Sequence, residues 1–174
     1  MKKEENIKSI NEDIARRFAS IEAELKDVFD ITALFETLFN EVERQFQIPF
    51  VWLSLIKNEN TFPIIKAVES SDKLKTRLNL ISKQVFDELI KNGVEPVLIN
   101  KKLKPYYKFF PESKKYFLKS LAVVPLCLQN EIIGSWNNGD VFAERYSQDM
   151  DTDFLQKFAK VISERITELT KISC

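Results

Sequence analysis

Histidine is absent from this chain of 174 residues, and its absence limits the chemistry that the side chains can perform. Zinc sites built on histidine, haem held by an axial histidine, and Ser–His or Cys–His catalysis all require an imidazole. The glycines, at positions 93, 134 and 139, are too scattered for a P-loop or a GxGxxG phosphate cradle. Cys127 and Cys174 form no CxxC pair, so we expect reduced thiols and no metal site. The sequence therefore predicts a protein that is not an enzyme and carries no cofactor.

The segment 101–119 combines positive charge with aromatic rings. It holds seven lysines and one glutamate, a local net charge of +6, although Lys+Arg and Asp+Glu both number 26 in the whole chain. Three interpretations stay open. The rings belong to the core and the lysines to a solvated rim; or the segment covers an anionic ligand or partner; or it grips single-stranded nucleic acid by stacking bases on the rings. The balanced total charge argues against nucleic acid and against a membrane as partner.

Ser54 interrupts an otherwise apolar face of a predicted central strand. A buried hydroxyl needs a hydrogen-bond partner. Either Ser54 lines a ligand pocket together with Trp52 and with Trp136 of a later strand, or it donates to a backbone carbonyl. Both interpretations stay open at the level of sequence.

A long N-terminal helix over residues 5–29 is predicted by a regular apolar stripe. The stripe keeps to one face of a nearly straight helix, flanked by mixed charges, as in a helix–helix seam. A second copy of the chain is the partner we expect, which makes the protein a homodimer; packing on its own domain is the alternative. The stripe consists of Ile7, Ile10, Ile14, Phe18, Ile21, Leu25 and Val28.

The remaining residues, 30–174, predict one α+β domain. Its mainly antiparallel sheet has about five strands flanked by helices. No run of eighteen apolar residues is long enough to span a bilayer, and no apolar signal segment follows Met1, so we expect a cytoplasmic protein. The predicted elements are a helix from Asp30 or Thr32 to about Phe46, strands over 50–57 and 62–68, a helix over 72–92, a strand over 94–100, a hairpin of 120–128 and 131–138, a turn at 138–140, and a last helix from about Asp151.

One stretch carries a resemblance to a known family. Ser120 to Leu126 is a small-residue strand ending in Pro-Leu, and Ile132-Ile133-Gly134 follows after a two-residue turn. This pattern resembles GAF domains, the small-molecule-sensing relatives of PAS domains, and the helix leading into a Trp-bearing strand over 30–56 is similar to their usual beginning.

The C-terminal part resembles a narrower group, the uncharacterised bacterial GAF-like family named domain of unknown function four-eight-four. Asp140, Arg145-Tyr146 and the run from Met150 to Leu155 are similar to its pattern, with Tyr146 where phenylalanine is usual. Members carry an N-terminal coiled-coil-like helix, as predicted here. The resemblance covers about residues 30–170 and implies a fold without assigning a ligand.

The GAF resemblance implies a ligand pocket between the sheet and a lid formed by 101–119. Several known GAF sites do not match: Cys127-Leu128 lacks the histidine of bilin sites, the cysteines lack the spacing of free-methionine-sulfoxide reductases, and the acidic pair of cyclic-nucleotide sites is missing. The residues expected to line the pocket are Trp52, Ser54, Tyr106, Tyr107, Phe109, Phe110 and Trp136.

These observations together predict a non-catalytic sensory or regulatory module. We expect it to dimerise through its N-terminal helix and to bind a small ligand, an anionic one if the lysines face it. Two alternatives stay open: a structural module with a filled core that acts by contact with an unknown protein, and a weak nucleic-acid binder acting through 101–119.

Overall fold

The computed structural model describes residues 1–91, 93–110 and 117–172, which form a sheet flanked by helices. The helices are α1 (Lys2–Lys26), α2 (Ile31–Phe46), α3 (Phe62–Glu69), α4 (Lys83–Leu89) and α5 (Asp153–Ile172), and the strands are β1 (Phe50–Ile56), β2 (Leu78–Ile81), β3 (Val97–Ile99), β4 (Ser120–Leu128) and β5 (Glu131–Asp140). Short 3-10 helices lie at Lys75–Arg77, Lys104–Phe109 and Ala143–Arg145.

The five strands form one mainly antiparallel sheet, as predicted. Their order is β2-β1-β5-β4-β3. β1 pairs with β2 in parallel, and the other neighbouring strands are antiparallel. β1 and β5 are therefore central, which explains why both faces of β1 are apolar.

The sheet separates two apolar cores. The helix-side core lies between the sheet and α1, α2, α3 and α5, and contains Leu53, Leu55 and Trp136 of the central strands. The lid-side core lies on the opposite face, where Trp52 and Ile56 meet Phe86 of α4 and residues of the segment 104–110. We call residues 104–110 the covering segment, because they close this face of the sheet.

The strand predicted over 62–68 is wrong, because these residues form α3. Ile64, Ile65 and Val68 are buried, a helical spacing, and Pro63 lies in the first turn, where its missing N–H leaves no helical hydrogen bond unmade. α3 therefore belongs to a helical crossover between β1 and β2, which parallel strands require.

Three further predictions differ from the structure. The helix predicted over 72–92 is interrupted by a 3-10 turn and by β2, and α4 begins only after Ser82, whose side chain accepts a hydrogen bond from the N–H of Val85. The predicted strand 94–100 is shorter, at Val97–Ile99. The turn predicted at 138–140 is wrong, since β5 continues to Asp140 in register with Ser120.

Candidate functional site

A row of polar side chains lies on the lid-side face of the three adjoining strands β2, β1 and β5. Ser54 pairs in register with Asn79 of β2 and with Ser135 of β5. Trp52 pairs with Asn137. Paired residues of neighbouring strands project from the same face of the sheet, so these five side chains share one surface. Ser54, Ser135 and Asn137 have no exposed surface.

Hydrogen bonds join this row into a chain that runs across the sheet. The Ser135 hydroxyl donates to Asn137 Oδ1 at 2.8 Å, and Asn137 Nδ2 donates to Ser54 Oγ at 2.9 Å. Ser54 Oγ then donates to the backbone carbonyl of Phe109 at 3.0 Å. Each link satisfies a polar group that would otherwise be buried without a partner, which is costly in an apolar core.

The chain of hydrogen bonds ends on the covering segment. Trp52 Nε1 also donates to the Phe109 carbonyl, at 2.5 Å, and Asn79 Nδ2 donates to the carbonyl of Lys108 at 2.6 Å. Both carbonyls lie at the C-terminal end of the 3-10 helix Lys104–Phe109, where a helix leaves its carbonyl groups without internal partners. Three donors of the sheet thus hold two backbone oxygens of the covering segment.

Aromatic packing closes the same face. The ring of Phe109 lies 5.4 Å from that of Phe86 and 6.5 Å from that of Tyr106. Phe110 packs edge-on against Trp52, with ring centroids 5.7 Å apart. Phe109 and Phe110 are buried, and Tyr106 and Tyr107 are half-buried. Space beneath the covering segment is therefore filled by its own side chains.

The structure brings six of the seven predicted pocket residues together: Trp52, Ser54, Tyr106, Tyr107, Phe109 and Phe110. Trp136 lies on the opposite face, in the helix-side core, where its ring packs edge-on against Phe158 at 5.6 Å. Whether the six residues bind a ligand stays a prediction. Ser54 does donate to a backbone carbonyl, as one of its two interpretations expected.

Three further residues belong to this surface and are not among the predicted pocket residues: Asn79, Ser135 and Asn137. Ser135 and Asn137 occupy alternate positions of β5, and this period of two was a usable signal for a polar face. Asn79 gives no such signal, because the helix predicted over 72–92 includes residues 78–81. Gly139, further along β5, allows close packing: a Cβ there would lie 3.0 Å from Trp52 Cζ3 and 2.7 Å from Leu118 Cδ2.

The described lysines of the segment 101–119 point to solvent. Lys101, Lys102, Lys104, Lys108 and Lys119 are exposed. Among the described rings of the segment only Phe117 is well exposed, at 62%. This arrangement agrees with a solvated basic rim around core aromatics, and it offers few rings on which bases could stack. Lys114, Lys115, Tyr116 and Glu112 lie outside the described residues.

Cys127 is a poor nucleophile in this fold. Burial raises the pKa of its thiol, so the protonated form predominates at neutral pH. Its backbone N–H donates to Ser163 Oγ of α5 at 2.9 Å. The other cysteine, Cys174, lies outside the described residues. Within residues 1–91, 93–110 and 117–172 no group of His, Cys, Asp and Glu side chains is arranged to hold a metal ion.

The stripe predicted for dimerisation divides into two parts. Phe18, Ile21, Leu25 and Val28 are buried in the helix-side core of their own domain. Ile14 packs at its margin, whereas Ile7 and Ile10 are 52% and 53% exposed. The C-terminal half of the stripe therefore follows the intramolecular alternative, and only the first two turns of the stripe remain without a partner among the described residues. Pairing with a second copy stays a prediction for that part.

Two surface grooves lie away from the polar row. One, of about 850 Å³, runs between α5 and the end of β4 and includes Cys127 and Ser163. The other, of about 540 Å³, lies along α2 and includes Glu43 and Arg77. Neither contains a residue predicted to line the ligand pocket. Among the described helices, none is both long and apolar enough to cross a membrane.

Solved structures with similar folds include a methionine sulfoxide reductase and several GAF domains. The free methionine-R-sulfoxide reductase from Neisseria meningitidis, in complex with its substrate, is 14% identical, with 92% of each chain covered and a TM-score of 0.60. The GAF domain of an Acinetobacter phosphoenolpyruvate-protein phosphotransferase is 12% identical, with 92% of this chain and 96% of that chain covered and a TM-score of 0.59. The phycoerythrobilin-bound GAF domain of a cyanobacterial phytochrome is also 12% identical, covering 92% and 98%, with a TM-score of 0.58.

Neither a protein-family model nor a curated protein matches the sequence. The resemblance to the narrower bacterial family accordingly stays a prediction. The structural matches, the sheet order and the covered sheet face agree on one architecture: the chain has the fold of a GAF domain.

Proposed function

We propose that this chain is a non-catalytic GAF-like regulatory module that binds a small ligand between the sheet and the covering segment. One observation carries the proposal: the row from Ser135 through Asn137 to Ser54 places hydrogen-bonding groups in the middle of an apolar face. An apolar row would hold a permanently closed core at least as well, because buried polar groups stabilise only when every partner is present.

Ligands of the structural neighbours support a small-molecule site in this fold. One neighbour is a GAF domain with bound phycoerythrobilin, and another is a domain with bound biliverdin. A bilin is not proposed here, since the chain has no histidine next to Cys127. The exposed lysines around the covering segment favour an anionic ligand through their local field.

Dimerisation is proposed for the first turns of α1. Ile7, Ile10 and Ile14 continue the line of the buried Phe18, Ile21 and Leu25 beyond the body of the domain. An isolated helix of about three turns is only marginally stable in water, so a partner helix would stabilise it. A second copy presents the same stripe. A cytoplasmic location and membership of the bacterial family four-eight-four belong to the same proposal.

A thermal-shift series tests the ligand part. The full chain is heated with nucleotides, phosphates and carboxylates, each matched in ionic strength with NaCl. A binding anion at about a hundred times its Kd raises the free energy of unfolding by about 2.7 kcal/mol. The Ser54→Ala variant should lose most of this increase, whereas a Lys3→Ala variant, remote on the exposed end of α1, should keep it.

A filled interaction module is the second candidate, and a specific observation favours it. Phe109 and Phe110 occupy the interior where a ligand would lie, and both are buried. This candidate predicts no stabilisation by any anion and amide exchange of residues 104–110 only when the whole domain unfolds. Those two results together would contradict the ligand proposal, and a partner would then act on the outer surface.

A further inference from the structure

The three donors that hold the covering segment all act on carbonyl oxygens. Trp52 Nε1 and Ser54 Oγ converge on one oxygen, that of Phe109, and Asn79 Nδ2 reaches the neighbouring one, that of Lys108. An indole N–H can only donate. The Ser54 hydroxyl accepts from Asn137, which leaves its proton for the covering segment. This surface of the sheet therefore presents hydrogen-bond donors and can bind groups that accept hydrogen bonds.

We infer that the carbonyls of Lys108 and Phe109 occupy the subsite of a small carboxylate ligand, so that the covering segment is an internal competitor for that ligand. This inference rests on the proposed ligand-binding function and names its ligand class. A carboxylate has two acceptor oxygens and no donor when ionised, as the site requires. Its hydrogen bonds are charge-assisted and stronger than those of the carbonyls they replace.

Charge at the site agrees with a carboxylate. Ser54, Ser135 and Asn137 are the buried polar residues of this sheet surface in the described structure, and none is ionised. Exposed lysines lie on and beside the covering segment, among them Lys108, whose own carbonyl is displaced. An ammonium or other cationic ligand would face the N–H donors of Trp52 and Asn79, which cannot accept a hydrogen bond from it.

Displacement has a defined consequence for the covering segment. Its two carbonyls turn to water, and the Phe109 ring leaves its contact with Phe86. Ligand affinity is lowered by the fraction of molecules in which the segment is open. Binding is therefore weak unless the rest of the ligand replaces the lost aromatic contact, and variants that loosen the segment should bind more tightly.

The indole N–H signals of the two tryptophans provide the test. Trp52 donates to the covering segment, whereas Trp136 Nε1 has no hydrogen-bond partner among the described residues and lies on the other face. The ¹⁵N-labelled full chain is titrated with acetate, pyruvate and succinate, with acetamide and succinamide as uncharged isosteres and NaCl as the ionic-strength control. The Trp136→Phe variant, or triple-resonance assignment if that variant does not fold, identifies the signals.

A saturable shift of the Trp52 signal with the carboxylates, absent with the amides and with NaCl, is expected. The Trp136 signal should stay in place, and amides of 104–110 should exchange at least tenfold faster at saturation. The Phe109→Ala variant, which keeps the backbone carbonyl but loses the ring, should bind about tenfold more tightly.

Failure of the carboxylate inference is separable from failure of the proposed function. If phosphate or a nucleotide moves the Trp52 signal and no carboxylate does, the site binds a ligand of another class and the inference is overturned alone. If nothing moves that signal and residues 104–110 exchange only by global unfolding, both are overturned.

Discussion

Tyr146 is a buried phenol whose ionisation can be followed directly. It packs against Leu98 and Ala122, and its hydroxyl makes no hydrogen bond of good geometry within the described structure. Burial raises the pKa of Tyr146 to about 12 and outweighs the nearby Arg145 guanidinium, which lowers it. The folded state therefore keeps its proton where the unfolded state, with a pKa of about 10, loses it.

Stability is expected to fall as the pH rises from about 10 towards 12, because the unfolded state then binds fewer protons than the folded state. At the upper end the loss from this residue approaches about 2–3 kcal/mol. Absorbance at 295 nm should show a late tyrosine ionisation, near pH 12, that belongs to Tyr146. The Tyr146→Phe variant should lose the late step and show a smaller decline between pH 9 and 11 in urea unfolding. An unchanged decline would mean that the phenol is reached by water.

Gly134 gives a physical reason for the Ile-Gly motif of the sequence. Its φ is +146°, and a Cβ at this position would lie 2.0 Å from the carbonyl oxygen of Ser54 in the neighbouring strand. Backbone atoms cannot move aside without separating β1 from β5. The same residue lies beside the irregularity of the β4–β5 pairing at Leu126 and Cys127.

Gly134→Ala should destabilise the chain by more than about 4 kcal/mol or prevent folding, because the clash involves two strands of the sheet. Gly93 is the matched control: its φ is +65°, but nothing lies within 4 Å of a Cβ built there. Gly93→Ala should cost only about 1–2 kcal/mol, the penalty of a left-handed backbone for an L-residue. Urea unfolding of both variants measures the difference. Equal losses would contradict the steric explanation.

At the scale of elements, the two halves of α1 have different surroundings. Its C-terminal half supplies Phe18, Ile21 and Leu25 to the helix-side core, and Phe18 packs against Phe46 and Phe158 with ring distances of 4.7 and 4.8 Å. Residues 2–12 are exposed along their whole length. A cut between the predicted units, at Asp30, would therefore remove part of the core.

Removing residues 1–12 should convert a dimer to a monomer with little change in the free energy of unfolding. Removing 1–29 should destabilise the domain severely, since loss of one large buried side chain alone costs about 2–5 kcal/mol. Light scattering and urea unfolding of the two truncated chains separate these effects. The double variant Ile7→Ser and Ile10→Ser is the point-mutant control. A full-length chain that is monomeric at high concentration would contradict dimerisation through α1.

Much of the fold was predictable, because apolar residues recur with a clear helical or strand period in most elements. The wrong predictions have a local cause. α2, β1, the β4–β5 hairpin and α5 were expected within a few residues. The run 62–68 is apolar enough for either a strand or a helix, and packing of Ile64, Ile65 and Val68 in the helix-side core decides for the helix.

The same failure explains what was missed at the candidate site. A strand over 62–68 and a helix over 72–92 leave no strand that contains Asn79, so its position beside Ser54 does not follow from the predicted elements. Trp136 was grouped with Trp52 although the Leu53–Trp136 register puts it on the opposite face. Sheet order is a tertiary property, so polar residues that meet across strands cannot be identified from one strand alone.

At the scale of the whole molecule, arginines join the ends of the helices. Arg17 of α1 donates to the carbonyl of Gln45, and Arg145 donates to that of Phe46 at 2.5 Å, both at the C-terminal end of α2. Arg165 of α5 does the same for α1: its Nε donates to the carbonyl of Leu25 at 3.2 Å, and its Nη2 donates to that of Val28. The last carbonyls of a helix lack internal partners and carry partial negative charge, so a guanidinium suits them.

Arg165→Lys is expected to weaken the attachment of α1 to the rest of the molecule, because one ammonium cannot reproduce the planar fork that reaches carbonyls on both sides of the helix end. The side chain of Arg165 is only 19% exposed, so water replaces its lost hydrogen bonds poorly. Each hydrogen bond lost from a charged donor lowers the free energy of unfolding by up to about 1.5–3 kcal/mol. Urea unfolding should show this loss, and hydrogen exchange should be faster over 18–26.

Arg16→Lys is the matched control, because Arg16 is 75% exposed and, among the described residues, pairs with Asp13 three positions before it on the same helix. Its effect should stay within about 0.5 kcal/mol. If both variants behave alike, α1 is held by its apolar contacts alone. A different result is that Arg165→Lys changes the oligomeric state while Arg16→Lys does not. In that case the hydrogen bonds of Arg165 at the C-terminal end of α1 set the direction in which the exposed N-terminal end of α1 leaves the domain.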